Sequence, residues 1–232
     1  MYKNTIILVM ERSQRKSKVL LDQRLEDFMQ ILSNSIQIVH CLLKEVLPSA
    51  KVIVDATTGN GFDTIFLAKN AQENARIYAF DIQDKALENA QKTMNDVKDE
   101  INLPLENIKY IHASHDEFDK YINENIDLVI FNLGYLPGGN HEITTQTSTT
   151  LKAIEKFITK LNVHGHIAIV MYPGHEEGFY EYQAIEKMVK VLDKKSFTVG
   201  WYKMINHNIN APTLCWIEKV GEEHEINKTC TN

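Results

Sequence analysis

The stretch VDATTGNGFD places two glycines, Gly59 and Gly61, between two carboxylates, Asp55 and Asp63. A short apolar run precedes it and a helical pattern follows, so backbone N–H groups and the positive end of a helix face the carboxyl edge of a strand. Glycine there lets the backbone approach a ligand with no Cβ in the way. A dinucleotide fingerprint would put a third glycine where Thr64 stands, and no Gly-Lys-Ser/Thr follows to hold a phosphate chain. Two carboxylates repel a pyrophosphate and attract a cationic amino group. At the end of the next apolar run, Asp81 lies about 20 residues on, where an acid accepts hydrogen bonds from two ribose hydroxyls. The loop therefore suits a nucleoside-like ligand that is positively charged and free of phosphate.

S-adenosyl-L-methionine is such a ligand, with an α-ammonium and a sulfonium. On this reading Asp55, Thr57, Gly59, Asn60, Gly61, Asp63, Asp81 and Ile82 form its cradle, with Asn132 also counted among the cofactor-binding residues. The segment HASHDEF adds Ser114 and His115, which could meet an adenine edge or equally cap a following helix, with Asp116 as a fair N-cap.

A second group lies in FNLGYLPGGNHEITTQTSTT. Asn132-Leu133-Gly134-Tyr135 resembles the [DN]-P-P-[YF] loop of amino methyltransferases, with Leu-Gly in place of Pro-Pro. The resemblance implies that the Asn132 amide oxygen and a neighbouring backbone carbonyl accept hydrogen bonds from a substrate nitrogen, while Tyr135 packs on the same group. Acceptors so placed aim the lone pair of a neutral amine at a methyl donor, and positioning of this kind lowers the barrier. A free aliphatic amine is protonated at neutral pH, the lysine reference being about 10.4. The site must then favour or generate the neutral form, and His141, Glu142 and His175 are the candidate proton acceptors. Gly134, Pro137 and Gly138 keep the loop open to a substrate. His175, in YPGHEEG, either lines the pocket or sits on a strand-to-helix turn. The remaining histidines have no ligand spacing, so no metal site is expected.

The frame that must carry these residues is a series of short apolar, β-branched runs alternating with helical ones. KVIVDAT, RIYAFDI, IKYIHAS, IDLVIFN and HIAIVMY have the near-continuous apolarity of parallel strands covered on both faces. Helices are expected over Met29–Leu47, Asp63–Lys69, Asp84–Asp96, Asp116–Asn123, Ser148–Leu161 and Tyr180–Leu192. Two further strands, Ser196–Met204 and Thr213–Val220, form an antiparallel hairpin. The expected fold is α/β and Rossmann-like: a mostly parallel seven-stranded sheet closed by the hairpin, with helices on both faces, as in class I methyltransferases.

The 232 residues divide into a polar, basic extension (1–28), one domain (29–220) and a tail (221–232). Hydrophobic residues make up 44% and no run approaches a membrane span, so a core can be buried in water and the cytoplasm is the expected location. A net charge of -6 argues against indiscriminate nucleic-acid binding but leaves room for a small specific RNA site. Arg12, Arg15, Lys16, Lys18 and Arg24 read either as a solvated helix face or as an RNA-facing arm. Cys41, Cys215 and Cys230 are too few and too scattered for a disulfide framework and read as thiols.

VDATTGNGFDTIFLA, FDIQDKALENA, FNLGYLPGGNHEITT, YPGHEEG and NINAPTLCWIEK together resemble the putative rRNA methylase family (YtqB/MnmM-like), over roughly Met29 to Val220. The resemblance implies an S-adenosylmethionine-dependent enzyme that methylates the 5-aminomethyl group of a tRNA wobble uridine, giving 5-methylaminomethyl-(2-thio)uridine. By it, Asp55, Gly59, Gly61 and Asp81 hold the cofactor with Asn60 and Asp63 beside them, and Asn132, Tyr135, Pro137 and Gly138 shape the catalytic pocket. Thr58 stands where relatives usually have Cys. The implied partner is tRNA, met at its anticodon region, with no membrane and no metal; a homodimer is left open. Methyl transfer to rRNA, protein or a small-molecule amine, a nicotinamide oxidoreductase, and a non-catalytic cofactor-sensing RNA-binding module are the competing readings.

Overall fold

Val52, Ile53 and Val54 are β-branched, as suits a strand walled in on both sides, and all four residues of β1 (Val52–Asp55) are buried. The computed structural model describes residues 35–134, 146–207 and 210–221. In it β1 pairs in parallel with β2 (Arg76–Asp81), which in turn pairs in parallel with β3 (Ile108–His112). On its other side β1 pairs in parallel with β4 (Ile126–Asn132), and β4 with β5 (Leu161–Met171). The hairpin of β6 (Phe197–Tyr202) and β7 (Thr213–Lys219) closes the sheet, β7 running antiparallel to β5. The strand order is β3-β2-β1-β4-β5-β7-β6, so the chain changes direction across the sheet between β1 and β4. A crevice opens at such a switch point, beyond the carboxyl ends of the strands.

The period of two along each strand sends alternate residues to opposite faces. Ile53, Ile77 and Leu128 join one core with Ile38 and Leu43 of α1 (Ser35–Val46), Leu67 of α2 (Phe62–Asn70) and Met94 of α3 (Asp84–Asp96). Val54, Tyr78 and Val129 join the other with Phe157 of α4 (Thr147–Lys160) and Ile185 of α5 (Glu176–Val189). There Phe118 stacks on Phe157 at 3.8 Å, and Phe131 meets Phe157 edge-on at 5.8 Å. Each such fully buried side chain contributes about 1.5–3 kcal/mol.

The seven-stranded sheet, its hairpin and its two helical layers agree with the expected fold. Two elements differ. The helix expected over Asp116–Asn123 is a 3₁₀ turn at His115–Lys120, because Asp116 turns inward to Lys152 Nζ (2.6 Å) rather than capping a helix. The fifth strand is longer than the apolar run, starting at Leu161, and its pairing with β4 shifts register between Ile126 and Leu128. That irregularity accommodates the polar stretch Asn162–Gly165, in which His164 takes φ 62°. Residues 1–28 and 222–232 lie outside the described residues, as does the start expected for the first helix. Among the described residues no helix is long and apolar enough to cross a membrane, and no three His, Cys, Asp or Glu side chains gather as a metal site.

Candidate active site

Thr64, the residue in place of a third glycine, is fully buried, and its Oγ1 lies 2.5 Å from Asp55 Oδ2. The other Asp55 oxygen accepts the Thr57 N–H at 3.2 Å. Asp55 therefore sits beneath the loop, 1% exposed, as its internal strut, and does not line the cavity above. Burial, reinforced by the nearby Asp63 charge and opposed by these hydrogen bonds, raises its pKa to about 7. Of the two carboxylates that bracket the glycines, only Asp63 faces the ligand space.

Gly61 takes φ 85° at the start of α2, and a Cβ on it would stand 2.8 Å from the Ala90 Cα. Both facts require glycine, so helix α3 packs against the loop backbone itself. Gly59, at φ 52°, turns its N–H onto Asp81 Oδ2 at 2.9 Å, and Gln83 N–H reaches Oδ1 at 2.9 Å. Two backbone donors thus fix the Asp81 carboxylate at the cavity wall, where its remaining lone pairs suit ligand hydroxyls.

Above the loop lies a cavity of about 910 Å³. Thr57, Gly59, Asn60, Asp63, Asp81 and Ile82 line it from the first two strand ends, and Ser114 and His115 from the third. Among the described residues that line it there is no Lys or Arg, so they offer a dinucleotide phosphate no counter-charge. Carboxylates with a close backbone cradle do fit a phosphate-free cationic nucleoside. His115 does more than cap a turn. It is buried, its Nδ1 bonds the Ala56 carbonyl at 3.2 Å, and its Nε2 has no partner among the described residues. Burial lowers its pKa, so Nδ1–H donates and Nε2 is left as an acceptor that a ligand amino group would satisfy.

On the opposite wall, Asn132 ends β4. Its backbone N–H donates to Thr57 Oγ1 (2.7 Å) and its Nδ2 to Asp63 Oδ2 (3.0 Å). Because a carboxylate only accepts, Asp63 selects the amide rotamer that turns nitrogen toward it and leaves Oδ1 as an acceptor for other groups. Gly134 follows at the rim. Tyr172, absent from the sequence-derived candidates, forms part of this wall and hydrogen-bonds the Asn132 side chain. Burial and the Asp63 charge raise its pKa to about 12, so its hydroxyl stays protonated.

His175 lines the cavity as expected, but its Nδ1 accepts the Gly178 N–H at 3.0 Å as the N-cap of α5. The neutral ring's lone pair is thereby engaged, which argues against its use as the proton acceptor. Tyr135, Pro137, Gly138, His141 and Glu142 lie outside the described residues. The structure adds Gln146 and Thr149 at the start of α4, and Asn210 between the hairpin strands. Tyr172 carried a usable signal, being the residue at which the fifth apolar run ends. Asn210 carried none, since a polar residue in a turn-rich connection reads as solvent-facing.

The sequence model of the family described as "Putative rRNA methylase" matches residues 77–218. A second, for the MraW methylase family, matches residues 14–135. The chain is 30% identical over 190 residues to the chloroplastic "tRNA (mnm(5)s(2)U34)-methyltransferase" of Arabidopsis thaliana, covering 79% of this chain and 68% of that protein. The solved "putative rRNA-methylase" of Clostridium thermocellum is 39% identical, with a TM-score of 0.75 over 80% of this chain and 97% of that one. A methyltransferase structure from Streptococcus mutans, in complex with S-adenosylhomocysteine, is 37% identical, with a TM-score of 0.69 over 79% and 97% of the two chains. With the phosphate-free cradle and the sheet order already in place, these likenesses decide the matter: the chain belongs to the putative rRNA methylase family and is an S-adenosyl-L-methionine-dependent methyltransferase.

Proposed function

We propose that the enzyme methylates an amine nitrogen on RNA, namely the 5-aminomethyl group of the tRNA wobble uridine, giving 5-methylaminomethyl-(2-thio)uridine. The observation that carries this reading is the amide of Asn132, held by Asp63 with its oxygen turned away from that carboxylate at the cavity wall. An acceptor there suits a nucleophile that still bears N–H bonds, as a primary amine does. The choice of tRNA is supported by the activity for which the Arabidopsis relative is named. Membership of a methyltransferase family weighs against a non-catalytic sensing module and against a nicotinamide oxidoreductase.

Asp81 and the loop at Gly59 would hold the cofactor's ribose, His115 its adenine amino group, and Asp63 would face its cationic end. The bound cofactor supplies an electrophilic methyl group on sulfur. Asn132 orients the amine, Tyr172 and Gly134 border it, and the protein's part in catalysis is alignment and exclusion of water. Because His175 is engaged as a cap, the proton acceptors still in play from the sequence are His141 and Glu142. The proposed place of action is the cytoplasm, with the anticodon region as the contact.

Nucleoside mass spectrometry of tRNA from a deletion strain tests the reading. Accumulated 5-aminomethyl-(2-thio)uridine is the expected result. Unchanged tRNA together with a missing methyl group in rRNA would replace it with the rRNA activity that the family description names.

A further inference from the structure

His40 belongs to α1, and the cavity wall does not include it, yet its Nε2 lies 3.2 Å from Asp63 Oδ1. The ring stacks flat on Phe66 of α2, centroids 3.8 Å apart and planes within 9°, so its plane is fixed by packing. The second Asp63 oxygen accepts the Asn132 amide at 3.0 Å. A carboxylate has no hydrogen to give, so His40 must present Nε2–H to it, and Asn132 its nitrogen. The chain of bonds runs from a partly exposed imidazole, through a carboxylate in the cavity wall, to the amide at the tip of β4.

An amide has two flips of nearly equal shape and opposite hydrogen-bonding sense. One offers the substrate nitrogen an acceptor; the other offers it a donor, which would compete for the lone pair that must attack. Asp63 chooses between them only while its own carboxylate is held, and α1 supplies the group that holds it. We propose that His40, acting through Asp63, is a positioning residue that keeps the Asn132 amide in the acceptor orientation needed for an amine nucleophile. The inference rests on the function proposed above, because only an amine with N–H bonds makes that orientation matter.

The test is steady-state methyl transfer by the full-length protein to tRNA lacking the methyl group, for His40→Phe and His40→Gln. Phenylalanine keeps the stack on Phe66 and removes the donor; glutamine keeps a donor. His40→Phe lowers kcat about tenfold, with KM for tRNA unchanged, and His40→Gln restores most of the loss. Wild-type kcat in His40→Phe overturns the proposal. So does a His40→Gln enzyme as impaired as His40→Phe while equally folded by circular dichroism. An independent reading comes from the Asn132 side-chain NH₂ signals in ¹⁵N spectra, assigned by their loss in Asn132→Ala. They should be single and sharp in the wild type and in His40→Gln, and shifted or doubled in His40→Phe; identical spectra in all three overturn the proposal. If the wild type leaves tRNA unmethylated, the proposed function falls, and the spectra still decide the role of His40.

Discussion

On one wall of the cavity Asp81 is gripped by the backbone N–H groups of Gly59 and Gln83; on the other, Asn132 is gripped by the side chain of Asp63. The first wall is a matter of main-chain path. The path at Gly59 and Gln83 holds the Asp81 carboxylate in place, and a residue that cannot follow that path releases it. The second wall is a chain of side chains in which Thr57, Asp63 and Tyr172 meet Asn132, with His40 behind Asp63; the four partners come from three segments, the glycine loop, α1 and the end of β5. Each link there depends on a side-chain atom, and that of Thr57 also holds the Asn132 backbone N–H. A rigid cradle for an invariant cofactor and an adjustable wall for the acceptor is the division of labour this difference suggests.

The sharpest way to break the comparison is Gly61→Ala. The new Cβ would meet the Ala90 backbone at 2.8 Å in a conformation with φ 85°, so the loop and α3 must separate. We expect a stability loss of about 2–3 kcal/mol in thermal denaturation and no measurable cofactor binding by calorimetry. Full cofactor affinity in this variant would show that the main-chain path is not what builds the first wall.

A crossed pair sharpens it. Asp81→Ala should weaken S-adenosylmethionine binding about 100-fold, since it removes the ribose acceptors and leaves two backbone donors unsatisfied. Asn132→Ala should leave that affinity within about twofold and lower kcat about 100-fold. Equal loss of binding in both would merge the two walls into one.

The smallest effect concerns the strut beneath the loop. Asp55 titrates near 7 in the folded chain against 3.8 for an unburied carboxyl, so the folded state holds the extra proton between those values. The stability this confers is complete below the lower value and is lost as pH rises through the upper one. Between pH 6 and 8 the loss is about 1.4 kcal/mol. The amide introduced by Asp55→Asn can keep both hydrogen bonds without titrating, so the wild type's melting temperature should fall relative to the variant's over that interval. Parallel curves would place a charged carboxylate under the glycines after all.

The parallel strands and the hairpin were legible because a strand covered on both faces must be apolar almost without break, and Val52–Val54, Ile77–Phe80 and Ile167–Met171 are. The glycine loop was legible for a related reason: its chemistry is local, written within ten residues of one turn. The differences are equally physical. Asp116 has the residue type of a helix cap, but a lysine 36 residues away draws it inward. Asp55 reads as a ligand because acids near glycines often are, whereas a threonine in the first turn of α2 helps to bury it. His175 reads as a base, and its Nδ1 accepts an adjacent backbone N–H.

By itself, then, the order of residues determined the alternation of strands and helices, the family likeness and the phosphate-free character of the cofactor loop, since each depends on neighbours along the chain. Only the tertiary structure decided which carboxylate is buried as a strut, which way the Asn132 amide faces, and that a histidine on α1 hydrogen-bonds Asp63. Those properties depend on burial and on partners far along the chain, as Asp63 is 69 positions from Asn132, and separation of that kind leaves no periodic trace in a sequence.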